Sequence, residues 1–366
     1  MTDGRTRMRI PGPYIFMSNL LLEDLEDCLR RTRDLWEELR NQRIFITGAT
    51  GFFGCWLLET LFHANRKLQL NVKTTILTRN PSAFRQSLPY LAAEPGLEVL
   101  DGDVRSFDFP SGPFDFVIHA ATESSAKLNS AEPGLMFDTI VEGTRRCLQF
   151  AQQARTRKFL FLSSGAVYGT QPPEVSNVSE DAATGPNPLD PASAYAEGKR
   201  AAELLCALAA QDSRLEVKIA RCFAFVGPYM KLDAHFAIGN FIRDQIGGGP
   251  IRVSGDGSAL RSYMYAGDLM VWLWTILFRG QPLRAYNVGS EEAVSIAELA
   301  DAVSQALTPR VAVEILGKPG NKPVHRYVPS TARARNELGL ECRVSLQEAI
   351  QRTQQWAVSA EAQAER

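Results

Sequence analysis

This chain has no surplus of either charge. Its 366 residues carry 40 basic and 41 acidic side chains, a formal net charge of −1. A polyanion-binding surface needs a basic excess, so nucleic acid is not an expected partner. Long apolar runs are also missing. No stretch of ~18 apolar residues occurs, which excludes a transmembrane helix and leaves no membrane partner. The run from Ile10 to Leu22 is broken by Pro11, Gly12, Pro13, Ser18 and Asn19 and lacks a small-residue cleavage site, so it does not read as a signal peptide. The six cysteines (Cys28, Cys55, Cys147, Cys206, Cys222, Cys342) are scattered, with no C-x-x-C and no metal-ligand spacing. No metal site is expected, and buried thiols of this kind suit a reducing, cytoplasmic compartment. The 45% of hydrophobic residues is the share of an ordinary globular chain rather than a disordered one.

A chain this long exceeds one small core, so two lobes or one large α/β domain is expected. Residues 1–41 read as a helical extension. Ser18 stands as an N-cap, and Leu21, Leu22, Leu25, Leu29, Leu35, Trp36 and Leu39 recur at near-helical spacing, which predicts packing on the chain's own core. From residue 42, short apolar strands alternate with helices. Strands are expected at 43–47, 73–78, 97–100, 114–120, 158–163 and 215–220, and helices at 55–63, 135–154 and 195–210. That alternation predicts a doubly wound parallel sheet over residues 42–222. After about residue 222, Gly-Pro and Gly-rich punctuation marks a smaller C-terminal α/β lobe over 223–356, with segments returning to the sheet. The tail, 357–366, is expected to fray.

Two motifs carry chemistry. The first is Gly48-Ala49-Thr50-Gly51-Phe52-Phe53-Gly54, which follows a strand and opens a helix. Gly48 permits a tight turn, Gly51 a close approach of backbone to pyrophosphate, and Gly54 close helix–strand packing. The helix N-terminus then presents unpaired N–H groups to phosphate. In this setting the loop, with Thr50, Phe52 and Phe53, predicts dinucleotide binding. The second strand ends in Thr78-Arg79-Asn80, without a carboxylate. An acidic residue there would bond a ribose 2′-OH, whereas an arginine accepts a 2′-phosphate, so NADP(H) is favoured over NAD(H). Asp103 and Val104 are candidate adenine contacts, and Ala120 and Ala121 leave room for the cofactor.

The second motif is Tyr195-Ala196-Glu197-Gly198-Lys199. Four residues apart on a helix, the tyrosine and the lysine share a face. A free phenol titrates near pH ~10 and is a poor base at neutrality. An ammonium and a nicotinamide cation beside it favour the phenolate.

With His119-Ala120-Ala121 and the run Ser163-Ser164-Gly165-Ala166-Val167-Tyr168-Gly169 between these two motifs, the chain resembles the extended short-chain dehydrogenase/reductase family. More narrowly it resembles the nucleotide-sugar epimerase/dehydratase branch, over roughly residues 42–356. The resemblance implies a Rossmann sheet with a substrate-binding lobe and a Ser–Tyr–Lys triad. Tyr195 would be the acid/base at a sugar oxygen. Lys199 would hold the nicotinamide ribose and lower the tyrosine pKa. Ser164 would share the substrate oxygen, with Ser163 as its neighbouring alternative. The substrate implied is a nucleoside diphosphate sugar. Arg261, in the Gly255-to-Tyr263 loop, would fork onto its diphosphate. Arg326, Asn240, Phe241 and Asn287 would assist. The family also implies a homodimer built on a four-helix contact, using the Tyr195 helix and the helix near 135–154.

The reaction turns on the two positions after Ser164. In dehydratases of this branch an Asp-Glu pair stands there, in decarboxylases a glutamate stands second, and in 3,5-epimerising enzymes a cysteine does. Here they are Gly165 and Ala166, which move no proton. Hydride chemistry at C4 remains. A 4-ketoreductase is slightly favoured by Arg79, and a 4-epimerase with tightly bound NAD is the alternative. Glu123 or Lys127, if either reached the sugar, would revive a dehydratase. A non-enzymatic dinucleotide-binding module is disfavoured because Tyr195 and Lys199 are both kept. A reductase of non-nucleotide carbonyls is disfavoured by Arg261 and the Gly255-Asp256-Gly257 loop.

Overall fold

The computed structural model describes residues 19–122, 126–211, 214–234, 236–306, 308–318, 320 and 323–364. The expected strands form as β1 (Arg43–Thr47), β2 (Lys73–Thr78), β3 (Leu97–Asp101), β4 (Phe116–His119), β5 (Lys158–Ser164) and β6 (Glu216–Cys222). A seventh, Ala285–Val288, joins the edge of β6, giving the order Ala285–Val288, β6, β5, β4, β1, β2, β3, all parallel. This is a Rossmann-type α/β sheet. β4 starts two residues later than its apolar run because the Phe114 N–H bonds the Ala154 carbonyl instead of the ladder. The strand order reverses between β2 and β4 on either side of β1, which puts the glycine loop at the switch point where open α/β sheets bind ligands.

Helices cover both faces. Pro133–Gln153 and Ala194–Gln211 pack together on one. Phe52–Leu68 and Ala266–Arg279 cover the other. Residues 266–278 of that last helix are all buried. A helix apolar all round must be covered all round. The first described helix, Asn19–Thr32, supplies the cover with Leu21, Leu25, Cys28 and Leu29. Polar fasteners hold it there. Tyr265 donates to Asp24, Arg31 pairs with Asp268, and the Cys28 thiol donates to the Gly267 carbonyl at 3.3 Å. Ser18, the expected N-cap, lies outside the described residues.

The lobe has its own core around Ile238, Phe241, Ile242, Leu299 and Ile350. Its short strand Leu260–Arg261 pairs with Val294–Ser295 on one side and Arg326–Tyr327 on the other. The tail does not fray where composition suggests: the helix Leu346–Ala364 continues well past Trp356. Among the described residues no helix is long and apolar enough to cross a membrane.

Candidate active site

The glycine loop has the shape a dinucleotide requires. Gly48 adopts φ +70°, and a Cβ there would stand 2.6 Å from the Ala120 carbonyl carbon. A Cβ on Gly54 would overlap the Gly48 carbonyl. Gly51 caps the helix Phe52–Leu68 without any side-chain hydrogen bond, so the first N–H groups of that helix keep no side-chain partner. Thr50 and Gly51 are exposed beside them. This uncapped helix start at the switch point fits a pyrophosphate. Phe52 and Phe53 put their rings against the core, Phe53 edge-on to Phe225 at 5.0 Å, so what they offer a ligand is main chain. Ala121 is fixed by its N–H to Thr47 Oγ1 at 3.1 Å.

Arg79 is exposed at the end of β2, near enough to Asp103 to favour its ionised form. The bidentate Arg105 guanidinium is the larger influence and holds the Asp103 carboxyl below its usual range. The Val104 side chain is buried against Gly143, which leaves only its backbone for adenine.

Ser164 ends β5 and accepts the Ala166 N–H at 3.2 Å. Ser163, pointing to the other face, donates to Glu203 Oε1 at 2.6 Å. Ser164 is therefore the serine beside Tyr195. Lys199 is 2% exposed and donates to Thr122 Oγ1 and to the Leu162 carbonyl, both at 2.7 Å. Its ammonium also lies 4.9 Å from the centroid of the Phe161 ring. Burial draws its pKa down to about 8. Burial raises the pKa of the half-buried Tyr195 phenol, and its hydrogen bond with Ser164 opposes the rise. The lysine spends two of its three donors on Thr122 and Leu162. His119 is structural, held between Thr47 and Thr144, with burial drawing its pKa to about 3.

The lobe brings up a second phenol that motif spacing missed. Ser164 hydrogen-bonds Tyr327 as it does Tyr195, and burial first, then an ionised Tyr195, raises the pKa of Tyr327. Register pairs Tyr327 with Arg261 and Arg326 with Leu260. Neighbours in a strand face opposite ways, so Arg261 and Tyr327 share the site face while Arg326 leaves it. Arg326 reaches the Ser176 carbonyl at 3.4 Å, a correction to its expected place on the diphosphate. Arg261 is half-buried, its guanidinium bonded to the carbonyls of Leu260 and His325.

Two further expectations fail. Asn287 is fully buried. Its amide donates to the carbonyls of Val178 and Ser330 and accepts from the Tyr168 hydroxyl, so it braces the fold and is closed to substrate. Phe241 is 3% exposed within the lobe core, and only Asn240 beside it remains half-buried, accepting from Arg243. Glu123 lies outside the described residues, as does the side chain of Lys127. Gly165 is packed tightly: a Cβ there would sit 2.6 Å from the Phe223 ring, whose centroid lies 4.7 Å from that of Tyr327 in a tilted pair.

The comparisons agree with this fold. UDP-glucuronic acid decarboxylase 1 of Arabidopsis thaliana is 30% identical over 310 residues, covering 85% of this chain and 68% of that one. A zebrafish (Danio rerio) protein of the same name is 27% identical over 319 residues, covering 87% and 73%. Among solved structures, a UDP-N-acetylglucosamine 4-epimerase from Methanobrevibacter ruminantium superposes with TM-score 0.76 at 20% identity, covering 88% of this chain and 99% of that one. A dTDP-glucose 4,6-dehydratase from Streptomyces venezuelae, solved with NAD bound, gives 0.75 at 24% identity, covering 88% and 98%. The model of the NAD dependent epimerase/dehydratase family matches residues 44–289, more than half of the chain. With its switch-point glycine loop and nucleotide-sugar relatives, the chain belongs to that family.

Proposed function

We propose that this nucleotide-sugar enzyme transfers a hydride at C4 of a nucleoside diphosphate hexose and moves no proton on carbon. The observation that carries the reading is local. Ser164 hydrogen-bonds Tyr195, Lys199 stands one helical turn after that tyrosine, and the two positions after Ser164 carry no titratable group, Gly165 being roofed by Phe223. In the branch this chain resembles, decarboxylases place a glutamate where Ala166 stands, so decarboxylation is not the reading this site supports.

A bound nicotinamide dinucleotide supplies or accepts the hydride. The rest falls to the chain. Tyr195 gives its phenolic proton to O4 as a ketone is reduced, or takes it as an alcohol is oxidised. The Ser164 hydroxyl holds the same oxygen. Lys199, with one N–H beyond its two bonds, reaches the nicotinamide ribose and carries positive charge beside Tyr195. Arg261 and Asn240 bind the diphosphate, the arginine bidentately.

Arg79 favours NADP(H), and a consumed reductant favours a 4-ketoreductase. A 4-epimerase that retains NAD is the second reading. It is supported by the chemistry of Tyr195, since one phenol serves the same carbon in both directions. The helix Ala194–Gln211 carries Leu204 at 61% and Leu208 at 51% exposure, one turn apart, and this stripe is the proposed seam of a homodimer.

The deciding experiment is the cofactor content of the purified protein, followed by turnover with UDP- and dTDP-hexoses, their 4-keto forms and UDP-glucuronic acid. NADPH consumption with a 4-keto sugar supports the reductase. Retained NAD with interconversion of C4 epimers supports the epimerase. Carbon dioxide release or loss of the C6 oxygen overturns both.

A further inference from the structure

We propose that Asn129 is a positioning residue for Tyr195, an inference that rests on the reading of Tyr195 given above. The first N–H groups of a helix have no partner inside it. In the helix Ala194–Gln211, Tyr195 occupies one of those positions, and its main-chain N–H donates to Asn129 Oδ1 at 3.1 Å. The other arm of the same amide, Asn129 Nδ2, donates to the Ala192 carbonyl at 3.0 Å. One carboxamide thus stitches the turn before the helix to its first turn. Only a group with both a donor and an acceptor does this; a carboxylate lacks the donor and an alkyl group lacks both.

Asn129 does not belong to that helix. It sits on the short helix Ala126–Ala131, in the connection that leaves β4. The same connection carries Thr122, which accepts Lys199 Nζ at 2.7 Å. So one connection touches both members of the pair, but differently. Lys199 is gripped at its ammonium, with a second bond to Leu162, deep in the protein. Tyr195 is gripped at its main chain, on the outermost turn. Loss of the Asn129 amide therefore loosens the phenol relative to Ser164 while the lysine stays in place.

The test compares Asn129→Ala, Asn129→Asp and Tyr195→Phe in the full chain. Misplacing a reacting group by about 1 Å can cost up to about 100-fold, so Asn129→Ala is expected to lower kcat at least about tenfold, with KM for the nucleotide sugar and the Kd for NADH (by fluorescence) changed less than about twofold. Asn129→Asp keeps the acceptor, and its anion suits a helix N-terminus, so part of kcat returns. A readout needing no substrate is tyrosinate absorbance with NAD bound: the ionisation step missing in Tyr195→Phe should shift in Asn129→Ala. An unchanged kcat and an unshifted step in Asn129→Ala overturn the inference. So does a loss of kcat that follows NADH affinity and melting temperature and is not restored by Asp. If Tyr195→Phe turns over like the wild type, the proposed function falls and this inference with it. If Tyr195→Phe is inactive and Asn129→Ala is fully active, only this inference falls.

Discussion

The ring of Phe223 occupies the place where a side chain at residue 165 would begin. A Cβ on Gly165 would stand 2.6 Å from the Phe223 Cζ, and the same ring lies tilted against Tyr327 with centroids 4.7 Å apart. An acid therefore cannot be added at residue 165 unless Phe223 moves. Gly165→Asp is expected to lower stability by about 1–3 kcal/mol through overpacking alone. Gly165→Asp with Phe223→Ala should recover much of that. Thermal melts of the wild type and the two variants check it; a Gly165→Asp protein as stable as wild type would remove the steric account.

Lys199 gives a stability signature with a definite sign. Its pKa falls from 10.5 when free to about 8 in the fold. Between those values the unfolded chain binds the proton and the folded chain does not, so the unfolding free energy rises with pH across that window. Below about pH 8 the burial penalty is present in full. Chemical denaturation from pH 7 to 10.5 should show this rise in the difference between wild type and Lys199→Met, because the buried thiols, held above their usual pKa by burial, lower both curves alike towards pH 10. Turnover should move the opposite way, falling above about pH 8 as the ammonium is lost.

Arg79 is expected to read the 2′-phosphate. A charged hydrogen bond contributes about 1.5–3 kcal/mol, so Arg79→Ala should weaken NADPH by roughly tenfold to a hundredfold. NADH should change little. Fluorescence titration with both cofactors tests this, and equal weakening of the two would reject the assignment.

Leu204 and Leu208 test the proposed seam. Leu204→Glu with Leu208→Glu should leave the fold intact and reduce the sedimenting mass to that of a single 40.5 kDa chain. A wild type that already sediments as a monomer would dismiss the seam.

Much of this could be read before any coordinates. β1 and β2 formed at their predicted residues because apolar, β-branched runs bounded by turns have few other uses in a parallel sheet. The glycine loop and the Tyr195–Lys199 pair were equally visible, since each is local in sequence. What escaped was set by tertiary pairing. Arg326 and Tyr327 are neighbours, and only the register with Leu260 and Arg261 decides which of them faces the site. Asn287 was indistinguishable from a binding residue until Val178, Ser330 and Tyr168 closed around its amide. Thr122 and Asn129 carry no motif, because their partners lie 77 and 66 residues away.

The cover over the helix Ala266–Arg279 bears on how the chain is made. Cys28 and Gly267 meet across 239 residues, and Asp24 and Tyr265 across 241. Domains form progressively as a polypeptide leaves the ribosome. The helix Asn19–Thr32 can pack early on Phe52–Leu68, but it completes its burial only when residues 265–279 have been made. A nascent chain halted before residue 265 would leave the leucines that meet Ala266–Arg279 without that partner, an apolar face for chaperones to hold.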